Sequence, residues 1–247
     1  MVRGGRRVVW CAVAVLALAG CGRAEVPTPP ERRPAFESAE DLPEKLGADG
    51  TSIVVGDPDA KVEVHLYEDP RCPFCEQFET SGGGPQLRKA LLDRSASARY
   101  TLASFLDDRV GGNGSKKAVN ALRAALKEGK FVEYHELLYL YQPEESEDGY
   151  TDDFLLELAG QVEGLRSTAF DSAVKTMKYR AFVADAQAAY ERAGGTAEPE
   201  GPGTPTAVIN DKRIPAESNG VLLDGTAFGQ LLQQIHARPW EWQATTL

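Results

Sequence analysis

Residues 62–75, VEVHLYEDPRCPFC, decide the fold of this chain. Val62, Val64 and Leu66 alternate with other residues, which is typical of a strand that buries one face. The two cysteines that follow are three positions apart, at a point where a helix can begin. Two thiols at this spacing can close one small ring, and one of them can be held as a thiolate. The stretch predicts a strand, a turn and a helix that carry the chemistry of dithiol–disulfide exchange.

Three other roles for Cys72 and Cys75 account for this pattern less well. A structural disulfide across four residues stabilises a fold by about 2 kcal/mol, against about 3 kcal/mol for a fifteen-residue loop. A zinc half-site lacks partners, because His65, His135 and His236 are scattered without ligand spacing. Two buried apolar cysteines leave the position between strand and helix unexplained. A redox pair explains both the spacing and the position.

The residues of the motif have separate roles in this interpretation. Pro73 suits the first helical position, which needs no backbone N–H, and this places Cys72 at the N-cap. The helix dipole favours a thiolate there by about 0.3–2 kcal/mol, and Arg71 is expected to assist. Cys75 lies almost one turn inside the helix. We therefore expect Cys72 to be the attacking thiolate and Cys75 the resolving thiol, with Pro73 and Phe74 forming the active-site loop between them.

The N-terminal sequence indicates an export signal. Three arginines precede an apolar run at residues 8–19, which is too short to span a membrane as a helix. The run ends in Leu18-Ala19-Gly20-Cys21, which resembles the lipobox of bacterial lipoproteins. The resemblance implies that residues 1–20 are a lipoprotein signal peptide and that Cys21 is lipidated. An ordinary secretory signal with a chance cysteine is the alternative.

Charge and cysteine content narrow the possible partners. The net charge is −10, and cleavage before Cys21 makes it more negative, since three arginines and no acids are removed. An acidic chain argues against nucleic acid and against electrostatic docking on anionic lipid. Membrane attachment would come from the acyl chains, on the extracytoplasmic face of a bacterial membrane. Cys11 leaves with the signal, so Cys72 and Cys75 are the thiols that remain free in the mature chain.

The rest of the chain divides into a tether and one domain. Residues 21–45 are rich in Pro, Glu, Arg and Ala and predict a disordered tether. Residues 46–240 predict an α/β domain with an α-helical insertion at about residues 113–193. Strands are expected at residues 52–55, 62–67, 99–105, 206–209 and 212–214, and helices outside the insertion at residues 72–92, loosened at 82–85, and 226–236.

A second motif lies about 130 residues after the cysteines. Gly203-Thr204-Pro205-Thr206 directly precedes a predicted strand. Together with the cysteine motif and the helical insertion, in this order, it resembles the DsbA-like family of the thioredoxin-fold superfamily, in an exported lipoprotein form. The resemblance covers about residues 50–238. It implies that Pro205 is cis and faces the cysteines, and that Thr204 offers backbone groups to an extended substrate.

One departure from the family pattern concerns proton transfer. Proteins of this family often carry a buried acid six positions before the first cysteine, where it accepts a proton. Here that position is Leu66. Glu68 and Asp69 are nearer to the pair, and the sequence leaves open whether either of them substitutes.

The resemblance implies an extracytoplasmic thiol–disulfide oxidoreductase that acts on exported proteins. Its redox centre is the Cys72–Cys75 pair itself, with no cofactor and no metal, and a membrane redox partner would reset the pair. Export favours the oxidase direction. The alternatives are an extracytoplasmic disulfide reductase or isomerase, and a non-catalytic thioredoxin-fold binding lipoprotein.

Overall fold

A computed structural model of the chain describes Met1 and residues 34–243. The predicted signal peptide, Cys21 and the first part of the predicted tether lie outside the described residues. The chain from Pro34 onward forms one compact unit.

The described residues form a six-stranded mixed sheet surrounded by helices. The order across the sheet is β1-β2-β4-β3-β5-β6; β3 and β4 are parallel and the other pairs are antiparallel. The strands are β1 (Glu44–Leu46), β2 (Ile53–Gly56), β3 (Val62–Glu68), β4 (Ala96–Leu102), β5 (Thr206–Ile209) and β6 (Lys212–Arg213). The helices are α1 (Pro73–Thr80), α2 (Gly84–Leu92), α3 (Leu106–Val110), α4 (Gly114–Glu128), α5 (Phe131–Leu140), α6 (Asp152–Ala159), α7 (Thr168–Lys175), α8 (Arg180–Gly194), α9 (Gly220–Leu223) and α10 (Gly225–Ala237). Short 3-10 turns occupy Ala39–Asp41, Ala216–Ser218 and Pro239–Glu241.

The central strand β3 shows the predicted alternation. Val62, Val64 and Leu66 are fully or almost fully buried, and Glu63 between the first two is exposed. Because side chains two positions apart lie on the same face of a strand, Glu68 continues this buried row at the carboxyl end of β3. The strand therefore carries an acid toward the turn that leads to the cysteines.

The helix predicted over residues 72–92 is two helices, α1 and α2. The break at Gly82 and Gly83 lets the backbone pass close to other elements. A Cβ on Gly83 would lie 2.6 Å from ring carbons of Phe78 and of Phe228, so a larger residue there would force α10 away. Helices α4 to α8 lie between β4 and β5 in the sequence, where the helical insertion was predicted. Of these, α5 packs against α1 and so reaches the cysteine motif.

The end of the predicted tether is folded, which corrects its boundary at residue 45. The N–H of Phe36 donates to the carbonyl of Leu92 at 2.9 Å, and β1 pairs with β2. The carboxylate of Glu44 accepts hydrogen bonds from the N–H groups of Phe131 and Val132 at the start of α5. N–H groups in the first turn of a helix have no partner inside the helix, so Glu44 supplies the partners that Phe131 and Val132 lack. The segment before β2 is therefore held by the domain despite its tether-like composition.

Within residues 34–243, no helix combines the length and the apolar character needed to cross a membrane.

Candidate redox site

The cysteine motif lies at the junction of β3 and α1. Cys72 is the N-cap residue of α1 and Pro73 is its first residue, the arrangement that the sequence predicted. Cys75 is fully buried, Cys72 is 5 % exposed and Phe74 is 57 % exposed. Both cysteines are free thiols in this structure. One face of the motif is thus presented to solvent through Phe74 while Cys75 faces the interior.

The second motif meets the first across the site. The Thr204–Pro205 peptide bond is cis, as the family resemblance implied. The thiol of Cys72 donates to the carbonyl oxygen of Thr204 at 3.3 Å. The hydroxyl of Tyr190, on α8, accepts a hydrogen bond from the N–H of Gly203 at 3.1 Å and fixes the start of this loop. Two segments 132 residues apart in sequence are therefore in contact at the reactive sulfur.

The environment of Cys72 favours its thiolate. Hydrogen bonding from the Cys75 thiol and from the N–H groups of Cys75 and Phe74 lowers the pKa of Cys72 to about 7, although burial opposes this. The backbone groups belong to the first turn of α1, where N–H groups are free and the helix dipole is positive. At neutral pH a large fraction of Cys72 is ready to attack a disulfide.

Cys75 is held as a thiol. Burial, its hydrogen bond to Cys72 and the charges of Cys72 and Glu68 raise the pKa of Cys75 well above its usual value. The two cysteines therefore differ strongly in reactivity, and Cys75 needs a nearby group that exchanges its proton.

Glu68 is the carboxyl group that interacts with both cysteines. It is fully buried, and burial raises the pKa of Glu68 to about 8, with a contribution from the charge of Cys72. Its Oε2 is 3.1 Å from Nε2 of His135 on α5. An oxygen of the Glu79 carboxyl, on α1, lies within 4.8 Å of a Glu68 oxygen, and Tyr139, on α5, lies alongside. A carboxyl with a pKa near neutral is suited to exchange a proton with a thiol.

Asp69 and Arg71 have structural partners instead. Asp69 accepts hydrogen bonds from the N–H groups of Arg71 and Leu106 and from the hydroxyl of Ser115, which together tie the cysteine loop to α3 and α4. The guanidinium of Arg71 is buried and pairs with Asp107 at 3.0 Å. The expectation that Arg71 assists the Cys72 thiolate is therefore not supported, because its charge is directed toward Asp107. Of the two acids that the sequence left open, Glu68 is the one beneath the pair.

The outer face of the site carries exposed hydrophobic residues beside charged ones such as Arg109 and Glu200. Four of the large hydrophobic residues that are exposed in the described region lie on elements around the cysteines: Phe74, Val110, Leu140 and Tyr141. Next to Gly203 of the second motif, a groove is lined in part by Phe105 and Tyr190, whose rings stack with centroids 5.2 Å apart. Exposed apolar side chains around a reactive group are typical of a protein-binding surface.

Sequence reasoning did not identify Glu79 and His135 as members of the site. Glu79 is four residues after Cys75, which puts both on the inner face of α1, and His135 and Tyr139 share a face of α5 in the same way. Glu68, Glu79 and His135 each place one donor atom within 4.8 Å of the others, a spacing that also suits a metal. We interpret the group as an acid cluster because Nε2 of His135 already lies at hydrogen-bond distance, 3.1 Å, from Oε2 of Glu68.

Comparisons with known proteins agree with this architecture. The family model described as thioredoxin matches residues 48–221. Disulfide bond formation protein D of Bacillus subtilis (strain 168) is 32 % identical over 108 residues, which are 43 % of this chain and 46 % of that protein. The aligned part thus spans about half the length of this curated relative.

Solved structures show the same fold. Oxidised BdbD from Bacillus subtilis has a TM-score of 0.61 at 20 % identity and covers 83 % of this chain and 100 % of its own. MdbA, a thiol-disulfide oxidoreductase from Corynebacterium diphtheriae, has a TM-score of 0.59 at 20 % identity. The match covers 81 % of this chain and 95 % of the MdbA chain. The predicted thioredoxin-like fold with an inserted helical subdomain is confirmed.

Proposed function

The chain belongs to the thioredoxin family, and we propose that it acts as a thiol–disulfide oxidoreductase on exported proteins. The observation that carries the proposal is the pairing of unlike thiols: Cys72 at the N-cap of α1, with a pKa lowered to about 7, beside a buried Cys75 whose pKa is raised. A structural disulfide would need neither a stabilised thiolate nor a contact with the Thr204 carbonyl.

The proposed reaction proceeds through a mixed disulfide. In the oxidase direction, a substrate thiolate attacks Sγ of Cys72 in the oxidised pair, the Cys72–Cys75 bond breaks, and Cys75 leaves as a thiolate. A second substrate thiolate then attacks the substrate sulfur of the mixed disulfide and releases Cys72. The substrate loses two electrons and gains a disulfide, and the pair is left reduced. In the reductase direction the same steps run in reverse.

Glu68 exchanges the proton of Cys75 in this scheme. It replaces the acid that the family pattern places at the position of Leu66, because a shift of two residues along β3 keeps the side chain on the same face. When Cys75 leaves as a thiolate, protonated Glu68 supplies the proton; when Cys75 attacks, ionised Glu68 accepts it.

We favour the oxidase direction, since the Bacillus subtilis relative is named for disulfide bond formation. The Cys72 pKa of about 7 stabilises the thiolate less than in DsbA, where the pKa is about 3.5, and to a similar degree as in thioredoxin. We therefore expect a reduction potential between about −270 mV and about −120 mV, the values of thioredoxin and DsbA. A value at the lower end would favour the reductase or isomerase alternative.

The cellular setting follows from the N-terminal sequence. We propose that Cys21 is lipidated, that the domain lies on the extracytoplasmic face of the membrane, and that a membrane redox partner resets the Cys72–Cys75 pair. Metabolic labelling with a radioactive fatty acid tests the lipidation of Cys21. We expect wild-type protein to be labelled, and a labelled Cys21→Ala variant would contradict lipidation at this residue.

Covalent trapping tests the proposed activity. A Cys75→Ser variant cannot resolve its mixed disulfides, so we expect it to accumulate exported proteins bound through Cys72. The Cys72→Ser variant is the matched control, since it keeps one buried thiol and loses the attacking one. Absence of adducts on Cys75→Ser, or equal adducts on both variants, would contradict the role assignment and favour a non-catalytic binding protein.

A further inference from the structure

A groove next to the cis-proline loop opens beside the redox pair. Its volume is about 290 Å³, and its lining includes Phe105, Tyr190 and Gly203. Apart from its chain neighbours, a Cβ built on Gly203 would meet no atom of the described residues within 4 Å, so the space above Gly203 is open. The next residue is Thr204, whose carbonyl oxygen contacts the Cys72 thiol. A substrate chain that reaches Cys72 past Thr204 can therefore place a neighbouring side chain in this groove.

We propose that this groove is a specificity subsite in which Arg109 binds a carboxylate side chain of the substrate. The proposal rests on the proposed function, because it names the class of protein segment that the same redox pair prefers. That class is an extended segment with an aspartate or a glutamate within about three residues of its reactive cysteine, which is about 10 Å of extended chain.

A stack of three planar groups holds the Arg109 guanidinium at the groove. The Phe105 and Tyr190 rings stack with centroids 5.2 Å apart and an angle of 5° between their planes. The Arg109 guanidinium lies 4.9 Å from the centre of the Phe105 ring, in a cation–π contact. Tyr190 is 2 % exposed, and a Cβ on Gly201 would lie 2.2 Å from its ring, so the base of the stack is tightly packed. The guanidinium is therefore positioned before a substrate arrives, which lowers the entropic cost of binding.

The acid that pairs with Arg109 within the protein is weakly held. An oxygen of Glu200 lies 3.6 Å from Nη2 of Arg109, which is longer than a hydrogen bond, and the Glu200 side chain is 88 % exposed. Ion pairs that are this exposed contribute little to stability. A guanidinium presents its N–H groups as a fork that can donate two parallel hydrogen bonds to one carboxylate. A substrate carboxylate that takes up this bidentate geometry would displace Glu200.

Two other acids near the groove are already paired with basic residues. Glu198, which lines the groove, accepts hydrogen bonds from both terminal nitrogens of Arg213. Asp108, next to Arg109 in the sequence, pairs with Lys116 at 2.8 Å. A cationic substrate side chain would therefore meet neutralised acids and be repelled by the charge of Arg109. Charge complementarity favours an anionic side chain in this groove.

Dithiol peptides that differ in one charge test the subsite. Each peptide carries either glutamate or glutamine at one position, which is moved over about three residues on both sides of its first cysteine. The measured quantity is the second-order rate constant for the reaction of each reduced peptide with the oxidised full-length protein. At the position that reaches the groove, the ratio of the glutamate rate to the glutamine rate should be about fivefold higher for wild type than for Arg109→Gln. The intrinsic effect of glutamate on the peptide thiol cancels in this comparison, because the same peptides meet both proteins.

Matched variants separate the subsite from overall charge and from folding. Arg238→Gln removes an equal charge beyond the end of α10, where Arg238 is 65 % exposed, and should keep the wild-type ratio. Glu200→Gln removes the competing carboxylate and should raise the rate of the glutamate peptide about twofold. Arg109→Lys should keep only part of the preference, because lysine retains the charge and loses the fork. Partial unfolding of a variant lowers both rates equally, so it does not change the ratio.

Two results would overturn the subsite. One is an equal ratio in wild type and Arg109→Gln at every position, and the other is a faster wild-type reaction with lysine than with glutamate at the position nearest the groove. If both peptides are still oxidised through Cys72, the oxidoreductase proposal stands without the subsite. If wild-type protein oxidises neither peptide, both proposals fail.

Discussion

The two sides of the Cys72–Cys75 pair carry chemically different groups. The outer side has an exposed Phe74, further exposed hydrophobic residues on neighbouring elements and the backbone carbonyl of Thr204. The inner side consists of buried acids and a histidine, with the pKa of Glu68 raised to about 8. In the proposed function, the outer face would bind the substrate disulfide and the inner face would exchange protons with Cys75.

Removing the attacking thiol should have the largest effect. Cys72→Ser should lower the rate of oxidation of a dithiol peptide at least about a thousandfold, to the uncatalysed rate. The reason is that the serine hydroxyl cannot form a disulfide with the substrate. Stopped-flow fluorescence of the peptide measures this. Retained activity in Cys72→Ser would place the reaction elsewhere and break the comparison between the two sides.

Replacing the buried acid Glu68 should lower activity and raise stability. The raised pKa of Glu68 means that the folded state binds its proton more tightly than the unfolded state, so stability falls as pH rises from about 4.5 to about 8. Glu68→Gln should remove this loss, and we expect it to be more stable than wild type by on the order of 3 kcal/mol at pH 8 but not at pH 4. Urea unfolding of the oxidised proteins at both pH values checks this.

Asp69→Asn is the matched control for that change. It should destabilise the protein at both pH values, because Asp69 accepts hydrogen bonds from Arg71, Leu106 and Ser115. Equal pH dependence in Glu68→Gln and wild type would contradict the assignment of Glu68.

The thiolate should titrate near neutral pH. With the pKa of Cys72 lowered to about 7, the stabilisation of the reduced form is complete only above the unfolded value near 9 and is lost as pH falls through 7. The alkylation rate of reduced protein by iodoacetamide should rise with a midpoint near pH 7. A midpoint near 9 would show that the Cys75 thiol and the first turn of α1 do not stabilise the thiolate.

The smallest effect is expected on the outer face. Phe74→Ala should leave stability within about 0.5 kcal/mol of wild type, because the side chain is 57 % exposed. It should raise KM for an unfolded protein substrate a few-fold and leave the reaction with a small disulfide unchanged. A change in the pH profile of this variant would show that the two sides are not independent.

The sequence predicted the parts of this site that depend on local rules. The position of Cys72 and Pro73 follows from helix-start chemistry, and Glu68 lies on the face that the β3 alternation already defined. The sequence reasoning did not name Glu79, although the α1 periodicity places it on the same face as Cys75. His135 could not be placed from the sequence, because only the packing of α5 against α1 brings it under the pair. The three-residue strand β1 was missed because its surroundings are compositionally like a tether.

The reduction potential of Cys72–Cys75 as a function of pH tests the central claim most directly. Equilibration with glutathione should give a value between about −270 mV and about −120 mV at pH 7. Its slope should change near pH 7, from about 59 mV to about 30 mV per pH unit, once the Cys72 thiolate no longer takes up a proton. A potential below about −300 mV, typical of structural disulfides, or a constant slope through pH 7 would contradict a redox-active pair with a stabilised thiolate.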